Sequence, residues 1–122
     1  MEKTTSMDDL TIPAPCAPNQ VEVNEFRRAV NMVIGRWKID ILWVLLQNGP
    51  TRFGELRRAL PGITQHMLTA QLRALEADGL VDRTAYAEIP PRVEYSLTAN
   101  ARGLKPIFMA MVDWSRSLRN RK

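Results

Sequence analysis

A short stretch in the middle of the chain carries polar side chains at a spacing suited to hydrogen bonding with flat base edges. His66, Thr69 and Arg73 recur every three or four residues, with the small Ala70 among them, which places them on one side of an α-helix. A short polar face with one arginine can lie close to base edges in a DNA major groove. Gln65, in the first turn, can reach the same groove. The pattern fits the solvent side of an ordinary amphipathic helix equally well.

Residue types that catalysis or metal binding requires are sparse in this chain. The single histidine, His66, and the single cysteine, Cys16, lie fifty positions apart. The spacing shows no nucleophile–base pair, no metal-ligand cluster and no glycine-rich phosphate loop. We therefore expect no enzymatic activity, no metal and no cofactor. A lone cysteine also excludes an internal disulfide and fits a reducing compartment.

The composition predicts one globular domain with a modest excess of positive charge. The chain has 122 residues, 45% of them hydrophobic, and a formal net charge of +4. This length and apolar content suffice for one core, and the charge permits a polyanionic partner without establishing one. Between Glu55 and Glu76 the chain carries three arginines and no acid. A cationic surface there would not be neutralised by its own neighbours.

The N-terminal residues differ from the rest of the chain. Pro13, Pro15 and Pro18 lie among small and polar residues without an apolar period. We therefore expect residues 1–20 to form a flexible tail and residues 21–122 to form the folded domain. The tail lacks the cationic start and apolar stretch of a signal peptide. No apolar run approaches the roughly 18–20 residues of a membrane span, so we expect a cytoplasmic protein without membrane association.

The hydrophobic periodicity predicts a mainly helical fold. An amphipathic stripe from Val23 to Ile34 predicts a first helix, and the dense apolar run 37–46 predicts a central helix that is buried on all sides. A short helix should follow over 53–60. Thr64 can cap the next helix, 64–78. The apolar stripe of that helix consists of Met67, Leu68, Leu72 and Leu75.

A change of period after Gly79 predicts two strands. The alternating segments 80–86 and 93–97 should form a hairpin whose loop, 87–92, contains two prolines that cannot donate to a strand ladder. Thr98 should then cap one long C-terminal helix, whose first turns Gly103 and Pro106 can bend. The apolar stripe of that helix contains Leu104, Ile107, Phe108, Met111, Val112 and Leu118.

The order of short helix, tight turn, longer helix and hairpin is that of a winged helix-turn-helix, whose second helix enters a major groove. The expected fold class is therefore mainly α with a small β-hairpin. Arg92 can place a guanidinium on a phosphate or in a minor groove, although a solvated turn arginine is as good an explanation. Arg52, Arg57 and Arg58 can meet the DNA backbone. The expected DNA contacts are Thr64, Gln65, His66, Thr69, Ala70, Arg73, Arg52, Arg57 and Arg92.

Several segments together closely resemble the HxlR-type winged helix-turn-helix transcriptional regulators. The resemblance extends over roughly residues 24–118 and is highly specific, because the matching segments fall on every predicted element of the motif. They are Gly35-Arg36-Trp37-Lys38, Ile41-Leu42-Trp43, Arg52 to Arg58, Pro61 to Thr69, Leu72 to Glu76, Asp78 to Val81 and Pro90 to Thr98.

The resemblance implies a homodimer built from the first and last helices. Its two recognition helices would meet successive major grooves of a near-palindromic operator in double-stranded DNA, and so repress or activate neighbouring genes. The C-terminal stripe also supplies more apolar surface than one side of a terminal helix normally covers, which favours a second subunit. The expected interface residues are Phe26, Val30, Leu104, Ile107, Phe108, Met111 and Val112.

One departure from the family concerns sensing. Members commonly carry a cysteine thirteen residues before the tryptophan of a Gly-Lys-Trp-like motif, and in some of them it senses oxidants or electrophiles. Here Asn24 stands thirteen residues before Trp37, and the only thiol, Cys16, lies in the tail. A free tail thiol is more often incidental than regulatory. Cys16 is therefore no more than a candidate redox residue, and any redox or small-molecule effector is unidentified.

The alternative function is a winged-helix module that binds a protein instead of DNA. It predicts partner binding that is insensitive to salt and no affinity for duplex DNA.

Overall fold

The structure is a computed structural model that describes residues 19–120. The expected tail, residues 1–20, lies almost entirely outside that range and stays a prediction. Along residues 19–120, no helix combines the length and the apolar character that crossing a bilayer requires. The elements in chain order are α1 (Gln20–Val33), α2 (Lys38–Asn48), β1 (Thr51–Arg52), α3 (Phe53–Ala59), α4 (Gln65–Ala77), β2 (Val81–Tyr86), β3 (Arg92–Leu97), α5 (Ala99–Arg102) and α6 (Leu104–Arg119).

The described residues divide into two compact units, residues 19–34 and residues 35–120. In the first unit, α1 begins where the Asn19 side chain accepts hydrogen bonds from the amides of Val21 and Glu22, at 3.0 and 3.4 Å. This cap satisfies amides that have no partner inside the helix. No residue of α1 is buried, and Phe26 is 69% exposed. α1 therefore carries apolar surface that is open to solvent.

The core of the second unit is formed by leucine-rich faces of α2, α3 and α4 together with the sheet. The stripe predicted for 64–78 is confirmed for its three leucines, which are buried, whereas Met67 is only half-buried. Each buried leucine stabilises the fold by roughly 1.5–3 kcal/mol. The largest fully buried side chains are Ile41, Leu42, Leu45, Leu56, Leu68, Leu72 and Leu75.

The second helix, α2, is less completely buried than its sequence predicts. Ile39 and Trp43 are exposed, although the apolar run 37–46 indicated burial on all sides. The indole ring of Trp43 stacks on the ring of Phe108, with centroids 6.5 Å apart and planes 20° from parallel. The expectation is wrong for this outer face, because the core of so small a unit covers only one side of the helix.

The three strands form an antiparallel sheet in the order β1-β3-β2. The hairpin prediction is confirmed, with pairing from Val81 opposite Leu97 to Tyr86 opposite Arg92. Arg92 is thus the first residue of β3. The prediction that it lies in the loop, made from its place after two prolines, is wrong. The two-residue strand β1, which pairs Thr51 with Tyr95, was not predicted. Two residues are too few to show a period.

The C-terminal segment forms two helices, so the prediction of one long helix is wrong. Thr98 caps only α5, where its hydroxyl oxygen accepts a 3.1 Å hydrogen bond from the amide of Ala101. The helix breaks at Gly103, whose amide donates to the carbonyl oxygen of Asn100 at 3.2 Å. Pro106 has no amide hydrogen and belongs in the first turn of a new helix. α6 therefore begins separately at Leu104.

Candidate nucleic-acid interface

A tight turn sets the path of the chain between α3 and α4. The amide of Ile63 donates to the carbonyl oxygen of Leu60 at 3.1 Å, and Gly62 has a φ of +94°. Residues with a side chain rarely adopt that backbone conformation. The turn is thus specified by a glycine at this position.

The first turn of α4 is capped as its sequence predicts. The hydroxyl oxygen of Thr64 accepts a 3.0 Å hydrogen bond from the amide of Met67. The Thr64 side chain is therefore engaged by its own helix. Gln65 and His66, the next two residues, are exposed. Their side chains can both meet a ligand that approaches the N-terminal end of α4.

The polar side chains of α4 share the face opposite its buried leucines. Ala70, Arg73 and Ala77 continue the exposed face that starts at His66, and these four positions follow one another at helical steps. Gln71 is half-buried, in keeping with its position on the apolar side. The structure therefore brings the sequence-predicted readout residues of α4 together on one accessible surface, which we call the α4 face.

Thr69 is half-buried on the edge of the α4 face, and its hydroxyl is partly committed. The hydroxyl donates a 2.9 Å hydrogen bond to the carbonyl oxygen of Gln65, one turn earlier. Such bonds are common for threonine inside helices. The oxygen lone pairs stay available as acceptors, and the methyl group can make apolar contact. Thr69 can thus accept a hydrogen bond from a ligand but has no free proton to donate.

Three arginines precede the tight turn, Arg52 at the end of β1 and Arg57 and Arg58 in α3. Arg52, Arg57 and Arg58 are exposed, as is Arg73. Within residues 19–120, none of the four takes part in an ion pair. The amide of Arg52 donates to the Glu55 carboxylate at 3.1 Å, which leaves its guanidinium uninvolved. The segment 52–77 contains these four arginines and two glutamates, so it is a cationic surface.

The hairpin, which we call the wing (β2, β3 and residues 87–91), is fastened to the end of α4. The amide of Leu80 donates to the carbonyl oxygen of Leu75 at 2.9 Å, and the amide of Thr98 donates to that of Leu80 at 3.1 Å. The Tyr95 ring also packs near the Phe53 ring of α3, with centroids 6.5 Å apart. The wing therefore has a defined direction relative to α3 and α4.

Arg92 does not offer a free guanidinium, contrary to the sequence-based expectation. Its two terminal nitrogens donate to the carboxylates of Glu88 and Glu94 at 2.8 and 2.9 Å. The guanidinium carbon lies 3.8 Å from the centroid of the Tyr86 ring. Both glutamates and the aromatic ring therefore hold the side chain against the wing itself.

The protonation state of Arg92 follows from the same contacts. Burial lowers the pKa of its guanidinium, but the hydrogen bond to Glu88 and the charges of Glu88 and Glu94 outweigh burial, and the pKa is raised above its ordinary value. The side chain stays cationic at any physiological pH. Its charge is nevertheless balanced by two carboxylates, so a phosphate would have to compete with them.

The α6 residues expected at a dimer interface divide between two faces of that helix. Phe108 is 8% exposed and Leu104 and Val112 are half-buried, so these three residues face their own subunit. Phe108 is thus wrongly assigned to the interface, because its ring already packs on Trp43. The other face carries the outward stripe, which consists of Ile107, Met111, Trp114 and Leu118, all exposed.

Trp114 is a large apolar residue that the sequence-based assignment missed. It is 64% exposed and lines an open apolar groove of about 450 Å³ along α6, together with Pro106, Ile107, Ala110 and Met111. The signal was present in the sequence. The outward stripe has steps of four, three and four residues, which is the spacing of helices that pack against a partner helix.

Two positions are candidates for a redox sensor, Cys16 and Asn24. Cys16 lies outside the described residues. Asn24, at the position where the HxlR-type regulators commonly carry a cysteine, is exposed on α1 and its side-chain oxygen accepts a 3.2 Å hydrogen bond from the Gln20 amide group. The side chain at this position therefore has no thiol chemistry.

Comparison with known proteins agrees with this geometry. The HxlR-like helix-turn-helix family matches residues 32–122. The uncharacterized HTH-type transcriptional regulator YybR of Bacillus subtilis (strain 168) is 50% identical over 91 residues, which cover 75% of this chain and 72% of YybR.

Solved structures support the same assignment. A protein described as a transcriptional regulator of the MarR family, from Enterococcus faecalis V583, is 38% identical with a TM-score of 0.74, over 90% of this chain and 96% of that one. The redox regulator HypR in its reduced form is 45% identical with a TM-score of 0.72, over 78% of this chain and 93% of HypR. The fold is therefore that of the winged-helix regulators, and the relatives are regulators and not enzymes. The chain belongs to the HxlR-like helix-turn-helix family of transcriptional regulators.

Proposed function

We propose that this regulator binds double-stranded DNA sequence-specifically as a homodimer, with α4 in the major groove. The observation that carries the proposal is the α4 face, which is polar, accessible and backed by three fully buried leucines. A rigid helix of this kind can present side chains to base edges at fixed positions. The proposal also implies a cytoplasmic location, with the bacterial chromosome.

The residues of the α4 face, together with Gln65 and Thr69 next to it, can make contacts with different base edges. Arg73 can donate two hydrogen bonds to a guanine, and Gln65 can pair with an adenine. Thr69 can accept a hydrogen bond from the amino group of cytosine or adenine, because its own proton is already donated to Gln65. The methyl group of Ala70 can meet the methyl group of thymine. His66 can reach a base or a phosphate from the first turn.

The arginines of β1 and α3 position the protein on the duplex in this proposal. Arg52, Arg57 and Arg58 are exposed and free of ion pairs among the described residues. Cations beside a recognition helix bind phosphates, which fix the register of the protein without reading sequence. The cationic segment 52–77 therefore supplies the salt-dependent part of the affinity.

Dimerisation is proposed from the outward stripe of α6 together with Phe26 and Val30 of α1. The stripe leaves four large apolar side chains exposed, and such a continuous apolar row on a helix favours a partner helix. A two-fold axis between identical subunits would place two α4 helices on a near-palindromic operator.

The comparisons include a redox regulator, so redox control of this protein needs a test of its own. HypR is described as a redox regulator and is known in oxidised and reduced forms. Here Cys16 is the only thiol and stands at a different position from the family cysteine. We expect Cys16→Ser to bind its operator like the parent, before and after treatment with an oxidant. A parent protein that loses the operator on oxidation, while Cys16→Ser keeps it, would contradict this expectation.

The decisive experiment is selection of bound sequences from random duplex DNA by the full-length protein. We expect enrichment of two half-sites related by two-fold symmetry, with centres about 10–11 base pairs apart. No enrichment of any sequence would refute specific DNA binding. If the protein instead captures a protein partner with an affinity that does not change with salt, the alternative of a protein-binding module is correct.

A further inference from the structure

The tip of the wing presents an apolar side chain that makes no contribution to the fold. Ile89 is fully exposed, more so than the other large hydrophobic side chains of residues 19–120. Pro90 and Pro91, which follow it, are exposed as well, and prolines restrict the backbone to few conformations. The amide of Glu88 donates to the carbonyl oxygen of Tyr86 at 2.9 Å, which tightens the turn before Ile89. The tip is thus a stiff apolar projection.

A single exposed isoleucine is common on protein surfaces and means little alone. Its significance here comes from the charges around it. Arg92, the wing arginine nearest the tip, is folded back onto Glu88, Glu94 and the Tyr86 ring. Arg52 lies outside the wing, on the other side of the groove that the tip lines. The wing as a whole, residues 81–97, carries three carboxylates and two arginines. It is therefore not a surface that phosphates attract by charge, in contrast to the cationic segment 52–77.

The position of the tip relative to α4 indicates what it can reach. The base of the wing is fixed to the end of α4 through Leu80 and Thr98, and each strand has six residues. At about 3.3 Å per residue, the hairpin extends roughly 20 Å from that base. An open groove of about 390 Å³ separates the tip from the start of α3. With α4 in a major groove, a projection of this length can cross the phosphate backbone to the adjacent minor groove.

We propose that Ile89 enters that minor groove as an apolar wedge, and that the wing senses the shape of the DNA through Ile89 and not through a cation. The inference rests on the proposed DNA-binding function. Isoleucine and proline are among the residues that architectural proteins insert at the minor groove, where they bend the duplex. Base steps that deform easily accept such a wedge at lower cost. Bases that no side chain hydrogen-bonds would thereby influence affinity.

The test compares variants of the full-length protein on a duplex that carries the site selected by the parent. Ile89→Ser removes the apolar contact, Ile89→Val keeps most of it, and Ala87→Ser is a matched control in the same loop. Affinity is measured by fluorescence anisotropy at several salt concentrations. Bending is measured by energy transfer between dyes at the two duplex ends. Thermal unfolding of each variant verifies the fold, which should not change because Ile89 is outside the core.

We expect Ile89→Ser to bind about tenfold more weakly, as for the loss of part of one buried aliphatic side chain, with a smaller bend and an unchanged salt slope. Ile89→Val and Ala87→Ser should resemble the parent. If Ile89→Ser binds and bends the duplex like the parent, or if its salt slope changes, the wedge is refuted while DNA binding stands. A parent protein that selects no duplex refutes the proposed function itself.

Discussion

The hydroxyl of Thr98 donates a 2.7 Å hydrogen bond to the carbonyl oxygen of Gly79. This bond joins the end of β3 to the residues that follow α4. The same hydroxyl accepts a hydrogen bond from the amide of Ala101 and so caps α5. One small side chain therefore connects the helix proposed to read DNA, the wing and the C-terminal helices.

Replacing Thr98 with alanine should lower the free energy of unfolding by about 1–2 kcal/mol, because both a helix cap and a hydrogen bond to Gly79 are lost. Thr98→Ser keeps the hydroxyl and should resemble the parent. Urea titrations at one fixed protein concentration measure the difference, since a dimer gains stability with concentration. Equal stability of Thr98→Ala and the parent would show that this bond does not stabilise the fold.

Variants of the α4 face should change which sequence is preferred. We expect Arg73→Ala and Thr69→Ala each to relax selection at one or two positions, with a loss of about 1–3 kcal/mol for a bidentate contact of Arg73. Gln47→Ala, on the exposed side of α2, is the control. Selection from random DNA with each variant gives the result. An unchanged preferred site for both α4 variants would remove this helix from sequence recognition.

A variant of Arg92 distinguishes two roles for this side chain. The structure pairs it with Glu88 and Glu94, whereas the sequence predicted a phosphate contact. Arg92→Met should leave Glu88 and Glu94 without their partner and lower the free energy of unfolding slightly, because both ion pairs are partly exposed to solvent. The double variant with Glu94→Gln should recover part of that loss, which a double-mutant cycle quantifies. The slope of log affinity against log salt should stay close to that of the parent. A slope reduced by about one unit would instead indicate a phosphate contact.

The two faces of α6 should respond differently to substitution. Met111→Glu places a charge in the outward stripe and should convert the proposed dimer to a folded monomer. Phe108→Ala removes a ring packed on Trp43 and should cost about 3–5 kcal/mol of unfolding free energy. Arg116→Glu, on the side of the same helix opposite the outward stripe, is the charge control. Sedimentation equilibrium separates these outcomes, and a parent that is monomeric while it binds its operator tightly would contradict the dimer.

The elements with a strong period were predictable from the sequence. The buried leucines of α4, its Thr64 cap and the hairpin follow directly from spacing and residue type, because local backbone preferences and burial agree there. The resemblance to HxlR-type regulators was equally visible in the motifs. The residues of the α4 face were predictable for the same reason, because helix geometry determines which residues lie opposite a buried stripe.

The remaining errors arose where tertiary contacts, and not local sequence, determine the structure. The ion pairs of Arg92 join residues on both sides of the wing turn, and their geometry depends on strand register. The division of the α6 stripe depends on where Trp43 lies, which no local pattern reveals. The break at Gly103 was foreseen only as a bend, because glycine and proline also occur inside helices that stay continuous.

The break at Gly103 separates the residues proposed to select the operator from the residues proposed to select the partner subunit. The α4 face and the wing lie before it, and the outward stripe of α6 lies after it. Copies of such a gene that arise by duplication could therefore diverge in subunit pairing through Met111 and Trp114 while they keep the same operator. They could equally acquire new operators through Arg73 and still pair with the ancestral subunit. Under the proposed function, one chain would thus carry two independently variable specificities, one for the operator and one for the partner subunit.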